Sequence, residues 1–226
     1  LNLTTDITVQ QEMHTKVMMY MPVGYKAGDE LYMYLILKDN NGFCYDDENS
    51  LTSLISNVSI SVLNDDAVYT SFTFELTNIT NVYKCKRVIK ATPLSFNAFT
   101  TVGTYTVTTY INDITATTSL LSIYPNELSQ SHSTLQAVGS EITSTVSIKA
   151  DSPLGIRLFG TDEYNNAIDF FNLAERFSFT VDPAISESNY TTAITPSETS
   201  SALLLTLTVK LIGTYQLVLY IDNNKF

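Results

Sequence analysis

Apolar and polar residues alternate with a period of two along most of this 226-residue chain. In the segment SFTFEL, Phe72, Phe74 and Leu76 fall on one face, separated by Thr and Glu on the other. The segments RFSFTV (176–181) and ALLLTLTVKL (202–211) repeat the pattern. Because successive side chains of a strand point to opposite faces, such runs are typical of antiparallel sheets with one buried face. The sequence therefore predicts an all-β fold.

A longer pattern occurs twice in the chain. YKAGDELYMYLILKD (25–39) aligns without gaps with IKADSPLGIRLFGTD (148–162), and GTYTVTTYIND (103–113) returns as GTYQLVLYIDN (213–223). A repeat spacing of 110 to 123 positions is the length of a domain and too long for a solenoid repeat. We therefore expect two tandem domains, residues 13–125 and 126–226, joined in the polar segment 124–133.

Short motifs in both units resemble filamin-type immunoglobulin-like repeats. The matching residues are Ala27–Gly28, Asp39 to Gly42 and Gly103–Val107 in the first unit, and Ala150, Asp162 to Asn166 and Gly213–Leu217 in the second. The resemblance implies that each unit is an immunoglobulin-like antiparallel β-sandwich. It also implies a role in scaffolding or adhesion, without catalysis.

Charge and composition exclude several kinds of partner. The net charge of −11 repels phosphate backbones and anionic lipids, so we expect no binding to nucleic acid. No apolar run has the ~20 residues that a membrane helix needs, so we expect no membrane insertion of this segment. Only 15% of the residues are charged, and Ser, Thr and Asn supply the other polar groups. This composition favours an extracellular or cell-surface protein.

The two cysteines, Cys44 and Cys85, both lie in the first unit. A disulfide between them would close a loop of about 40 residues and stabilise the unit by about 4 kcal/mol. The alternative is a pair of buried, reduced thiols in an intracellular protein. The other signs of an oxidising compartment favour the disulfide.

Residues for catalysis are scarce, and we expect no enzymatic activity. The sequence has no HExxH, GxSxG, P-loop or dinucleotide-binding motif. Calcium is the one cofactor that the sequence suggests, since two acidic loops collect the oxygen ligands that it prefers. The candidate ligands are Asp39, Asn41, Asp46, Asp47, Asp162 and Asp169. The alternative is that these residues form solvated turns, which Asp and Asn side chains favour.

Four N-x-S/T sequons make covalent glycans possible, at Asn2, Asn57, Asn78 and Asn189. A chain this rich in Asn, Ser and Thr carries several sequons by chance, so their position is the better guide. Asn78 and Asn189 adjoin predicted turns, and Asn57 adjoins a strand.

Two tyrosines occupy the same place in the two copies of the G-T-Y phrase. Tyr110 and Tyr220 fall on the face opposite to the apolar residues of their strands, so we expect them to point outward as interface residues.

The two units differ after the G-T-Y strand. In the first unit ATTSLLSIYP (116–125) predicts a last strand, whereas the second unit ends at Phe226 before any counterpart. Residues 1–12 precede the first unit as that strand precedes the second, and Leu3, Ile7 and Val9 are their candidate interface residues. We expect this segment to complete the second unit of a neighbouring copy, either within one longer chain or between subunits. The alternative is an ordinary extra strand of the first unit.

These inferences predict a non-enzymatic structural or adhesive protein of the cell exterior, whose partners are copies of itself or neighbouring domains. It would be the repeating unit of a filament, surface appendage or ectodomain assembled head to tail. A second hypothesis is a glycan- or protein-binding module that uses the polar end loops. A third is an intracellular filamin-like scaffold.

Overall fold

A computed structural model describes residues 16–21, 23–64, 67–78, 85–95, 99–138, 146–197 and 201–226 of the chain. The chain divides into two compact units, Leu1–Tyr124 and Pro125–Phe226. Both are built almost entirely from antiparallel strands, so the predicted all-β fold is confirmed. None of the helices in the described ranges is long and apolar enough to span a membrane.

Unit 1 contains nine strands and one short helix within its described residues. In chain order they are β1 (Lys16–Tyr20), β2 (Tyr25–Lys26), β3 (Met33–Lys38), α1 (Glu48–Ile55), β4 (Val58–Asn64), β5 (Ala67–Tyr69), β6 (Phe72–Asn78), β7 (Arg87–Pro93), β8 (Gly103–Ile111) and β9 (Ile114–Tyr124). One sheet has the order β1-β3-β7-β6, and the other has the order β2-β9-β8-β4-β5. All neighbours are antiparallel except β2 and β9, which run parallel.

The alternation seen in the sequence matches the buried faces of these strands. On β8, Tyr105, Val107 and Thr109 are buried, and the residues between them are partly exposed. The central strand β3 is buried on both faces, since Met33, Leu35 and Leu37 share one side and Ile36 lies on the other. Burial of this apolar surface is the main favourable contribution to folding of the unit.

The helix α1 was not expected from the alternating pattern. Its N-cap is Asp47, whose Oδ2 accepts a hydrogen bond from Ser50 N at 2.8 Å, and Leu51 is the residue that it buries. A carboxylate at this position satisfies one of the free N–H groups of the first turn. Hydrogen bonds from Ser50 hold the pKa of Asp47 below its usual value.

Unit 2 has seven strands in its described residues and repeats much of this arrangement. They are β10 (Thr134–Ala137), β11 (Pro153–Phe159), β12 (Phe177–Asp182), β13 (Tyr190–Pro196), β14 (Ala202–Val209), β15 (Gln216–Ile221) and β16 (Asn224–Lys225), with short 3-10 helices at Ala174–Arg176 and Glu187–Asn189. The sheets have the orders β10-β11-β14-β13 and β12-β15-β16. The core between them includes Phe170, Phe177, Leu158, Leu203 and Leu205.

Equivalent positions of the two units have equivalent backbone geometry. The turn between β8 and β9 has Asn112 and Asp113 in the left-handed region, and the turn between β15 and β16 has Asp222 and Asn223 there. These pairs are 110 positions apart, which is the spacing of the G-T-Y phrase. Arg176 pairs with Asp222 at the second of these turns.

Candidate functional site

The loop after β3 is the first of the two predicted acidic sites. Asp39 Oδ1 accepts hydrogen bonds from the backbone N–H groups of Asn41 and Phe43, both at 2.9 Å. Gly42 has φ 84°, a conformation that glycine adopts without steric cost. The carboxylate of Asp39 therefore closes an Asx turn.

The loop after β11 is built in the same way, but its aspartate is buried. Asp162 is 0% exposed, and its Oδ1 accepts from Tyr164 N at 2.9 Å and from Asn166 N at 2.8 Å. Its Oδ2 accepts from Asn166 Nδ2 at 2.8 Å and from Asn126 N at 3.0 Å. Asn165, with φ 66°, stands where unit 1 has Gly42.

These four hydrogen bonds stabilise the ionised form of Asp162. Burial raises the pKa of its carboxyl, but the bonds from the side chain of Asn166 and from three backbone N–H groups outweigh that effect. The pKa of Asp162 is therefore below its ordinary value, and the residue is an anchored carboxylate in the neutral range.

The remaining acidic candidates also accept hydrogen bonds from nearby backbone. Asp46 Oδ1 accepts from Lys86 N at 2.9 Å and from Arg87 N at 3.2 Å. Asp47 caps α1, and Asp169 Oδ1 accepts from Phe171 N at 2.9 Å. The described residues contain no group of three or more His, Cys, Asp or Glu side chains that could hold a metal ion. This geometry favours structural turns, and calcium binding stays a prediction.

Cys44 and Cys85 form a disulfide with a Cα–Cα distance of 5.5 Å. The bond joins the loop after β3 to the residues that precede β7. Cys85 is 3% exposed and packs with Ile36 and Val88 on the outer side of the β1-β3-β7-β6 sheet. The adjoining Asp46 bonds and an ion pair between Arg87 and Glu48 at 3.0 Å strengthen the same junction. The loop with the predicted ligands is thus fastened to the sheet.

Three of the four sequons lie in the described residues, and Asn2 lies outside them. Asn57 is exposed in the turn between α1 and β4, where it lines a shallow polar pocket with Ser56, Ser59, Asn112 and Asp113. Asn78 is exposed at the end of β6, and Asn189 is half-buried at the end of a 3-10 helix. Asn57 and Asn78 are therefore the more accessible of the three.

The predicted interface tyrosines occupy equivalent, half-buried positions. Tyr110 pairs with Ser59 on β4, and Tyr220 pairs with Ser178 on β12. Their role as interface residues stays a prediction. Leu3, Ile7 and Val9 lie outside the described residues.

A tyrosine cluster on unit 1 was missed by the sequence analysis. The rings of Tyr20 and Tyr34 stack at 6.3 Å, Tyr32 meets Tyr34 at 5.4 Å, and Lys90 Nζ lies 5.6 Å from the centre of the Tyr32 ring. The tyrosines of LYMYLILKD alternate and could have signalled a shared face. Their partner on β1, Tyr20, is brought to this face by strand pairing, which cannot be read from the sequence alone.

His132 lies within the described residues, and its hydrogen-bond partners are close to it in the sequence. Its Nδ1 lies 2.9 Å from Ser129 Oγ and 3.0 Å from Ser131 Oγ in an exposed turn. A nucleophile–base pair needs a third group that orients the base. Among the hydrogen bonds and ion pairs of the described residues, no carboxylate contacts His132.

The fold and these sites define an all-β protein of two units with anchored acidic turns and one disulfide. No family model and no curated protein sequence matches the chain. Among solved structures, it is similar to Yersinia pseudotuberculosis InvD, with a TM-score of 0.51 and 15% identity over 94% of this chain and 54% of that one. At this identity the likeness shows the fold alone, and the chain spans about half the length of the InvD structure.

Weaker likenesses are to the S-layer protein SbsC. Its domains 5–6 give a TM-score of 0.29 with 13% identity, over 93% of this chain and 92% of that one. Its domains 4–9 give 0.29 with 10% identity, over 92% of this chain and 30% of that one.

Proposed function

We propose that this chain is a non-enzymatic structural or adhesive protein of the cell exterior. The observation that carries the proposal is the Cys44–Cys85 disulfide, which anchors the acidic loop after β3. Disulfides persist in secreted and surface proteins and are rare where glutathione and thioredoxin keep thiols reduced. The low charged fraction, 15%, supports the same location.

We propose further that both units are immunoglobulin-like, as the filamin-type resemblance implies. The strand orders support this, because β1-β3-β7-β6 corresponds to the A-B-E-D sheet of such domains. In the other sheet β9, β8 and β4 are neighbours, like strands G, F and C. Tyr105 supports it too, because its hydroxyl donates to Thr101 O at 2.7 Å, like the tyrosine corner of these domains.

The working form of the protein, in this proposal, is a head-to-tail array of such units. Two tandem units with the same strand order form the arrangement that a longer array would repeat. The acidic residues of the end loops support a structural role over ligand binding, because Asp39, Asp46 and Asp162 are used to hold the chain's own backbone.

The test is the state of the cysteines and the location of the native protein. Cells are lysed in an alkylating agent, and mass spectrometry under non-reducing conditions looks for the peptide pair that contains Cys44 and Cys85. Protease treatment of intact cells then checks surface exposure, and negative-stain imaging checks for arrays. We expect the crosslinked pair and loss of the protein from intact cells. Alkylated cysteines with protection from protease would overturn the proposal in favour of an intracellular scaffold.

A further inference from the structure

The outer face of the β2-β9-β8-β4-β5 sheet carries a row of exposed apolar side chains. Leu120 on β9 pairs with Thr106 on β8, and Thr106 pairs with Leu63 on β4. Leu63 pairs in turn with Val68 on β5. Leu120 is 68% exposed, Val68 61% and Leu63 45%. Side chains of directly opposed residues lie about 4.5–5.5 Å apart, so these four form one continuous row, which we call the outer row.

The rest of this face is polar but uncharged. The row beside the outer row consists of Thr118, Thr108 and Ser61, and the next contains Tyr110 opposite Ser59. Along their whole described length, β4, β8 and β9 contain no charged residue. The chain as a whole has a net charge of −11, so three neighbouring strands without any charge mark a distinct surface.

The fold does not require apolar residues at these places. Gln216 of unit 2 stands at the position equivalent to Thr106, 110 positions later in the repeat. It pairs with Asp182, which therefore stands where unit 1 has Leu63. Both residues are exposed, so the same sheet position is polar in unit 2 and apolar in unit 1. Single exposed apolar residues need no explanation, but a contiguous row of them is typical of a binding surface.

A second copy of this chain has the chemistry that fits the outer row. Two chains of net charge −11 repel each other, and this face lets them meet without bringing like charges together. The outer face of the other sheet is less suitable, because its Lys90 and Glu75, paired at 3.4 Å, would have to be desolvated. A partner with a charged contact surface would leave its own charges unpaired against the row. Two sheet faces pack about 10 Å apart with interdigitating side chains, so the leucines and the valine of one copy can fit between those of the other.

We propose that the outer row of unit 1 binds the same row of a second copy of this chain, sheet face against sheet face. Such a contact is isologous, since one patch serves both copies. It joins copies side by side through unit 1, so it goes beyond the head-to-tail array proposed above and does not depend on it.

The size of the face predicts a weak, reversible dimer. Four strands about 4.8 Å apart and about seven residues long give a face of roughly 20 Å by 22 Å. Two such faces bury about 900 Å² in total, which is below the ~1,200 Å² at which stable interfaces begin. We therefore expect a dissociation constant between about 10 µM and about 1 mM.

The first experiment measures self-association of the full chain by sedimentation velocity from about 10 µM to about 1 mM. We expect a reversible monomer–dimer equilibrium in the wild type. Leu120→Asp places a charge in the contact and should weaken association by at least about tenfold. Because Leu120 is largely exposed in the single chain, the melting temperature should stay the same.

Ile114→Asp is the matched control for this variant. Ile114 lies on the same strand and is 72% exposed, but it pairs with Ile111 on the face opposite to the outer row. The control therefore makes the same kind of change at a similar exposure and should leave association nearly unchanged.

Salt distinguishes this contact from one made by ion pairs. Because each copy has a net charge of −11, raising NaCl from about 0.05 M to about 0.5 M screens their repulsion and should strengthen the dimer. A contact through the charged outer face of the other sheet would weaken under the same change.

Three results would overturn the inference. They are a wild-type chain that stays monomeric at every concentration, equal effects of Leu120→Asp and Ile114→Asp, and association that weakens in high salt. The first would assign the outer row to a partner other than this chain, the second would place the contact on another face, and the third would assign it to ion pairs. A monomer that is disulfide-bonded and surface-exposed would refute the dimer alone and leave the proposed function in place. Dimers with free thiols inside the cell would refute the surface role instead.

Discussion

Removal of the disulfide should destabilise unit 1 and leave unit 2 unchanged. Cys44 and Cys85 are separated by 41 positions, and a loop of that length gives about 4 kcal/mol in the chain-entropy model. For a domain of roughly 110 residues, each kcal/mol changes the melting temperature by about 3–5 °C. The double variant Cys44→Ala/Cys85→Ala should therefore lower the melting temperature of unit 1 by about 10–20 °C.

Alanine is the suitable replacement because of what surrounds the bond. Cys85 packs with Ile36 and Val88, so a serine there would bury a hydroxyl in an apolar cluster. Replacing both cysteines also avoids a single free thiol, which could form disulfides between chains. The loss of two sulfur atoms adds a packing cost of about 1 kcal/mol, in the same direction.

Differential scanning calorimetry of the full chain resolves the question, with unit 2 as the internal control. Unit 2 has no cysteine, and Ala167 stands at the position equivalent to Cys44. Chemical reduction of the wild-type chain should reproduce the shift of the double variant. The reasoning is wrong if the unit 1 transition moves by less than about 2 °C, or if both transitions move together.

Five substitutions at four positions test the paired turns and the packing beside them. Asp162→Ala removes the acceptor of four part-buried hydrogen bonds and should cost about 2–4 kcal/mol, whereas Asp39→Ala in the half-buried counterpart, which accepts two, should cost about 1 kcal/mol, as chemical denaturation would measure. Gly42→Ala should cost about 1 kcal/mol because of its positive φ, and Gly42→Asn less, since unit 2 has Asn there; equal costs in thermal melts would contradict this. Gly160→Ala should cost about 1–3 kcal/mol in unit 2, because the new Cβ meets the ring of Phe170; an unchanged melting temperature would show that the ring moves freely.

The strands could be predicted from the sequence because their signal is local. Alternation in SFTFEL and ALLLTLTVKL places one apolar face on β6 and β14, and the structure has strands there. The helix α1 could not be predicted in this way, because it is short and buries mainly Leu51. The one clear signal of this helix in the sequence was its N-cap, Asp47, three positions before Ser50. This residue lies within the acidic loop that was considered a calcium site.

The sequence pointed to the aspartates of the two loops, but not to the hydrogen bonds that they accept. The sequence shows that Asp39 and Asp162 are equivalent, but not that Asp39 is half-buried and Asp162 fully buried. Asn126 donates to Asp162 across 36 positions, and the described contacts of Asp39 include no counterpart of this bond. A sequence does not distinguish a carboxylate that accepts hydrogen bonds from backbone N–H groups from one that binds a cation.

The two units fasten the same loop by different chemistry. In unit 1 the disulfide joins the loop after β3 to the residues that precede β7, and in unit 2 the Asp162 carboxylate joins the loop after β11 to the segment at Asn126. Reduction should therefore act on unit 1, and acid should act through this anchor on unit 2. Because the pKa of folded Asp162 is lowered, its contribution is complete above the ordinary carboxyl pKa near 3.8.

That contribution is lost as pH falls through the lowered pKa, so the sign of the effect can be tested directly. Asp162→Asn removes the charge while keeping the size of the side chain. We expect the melting temperature of unit 2 in this variant to be lower than wild type at neutral pH and to approach it as the pH falls below the ordinary carboxyl pKa. The comparison cancels the other acidic groups, because they are common to both proteins. A gap between the two proteins that stays constant down to the acid limit would show that hydrogen-bond geometry, and not the charge of Asp162, holds the loop.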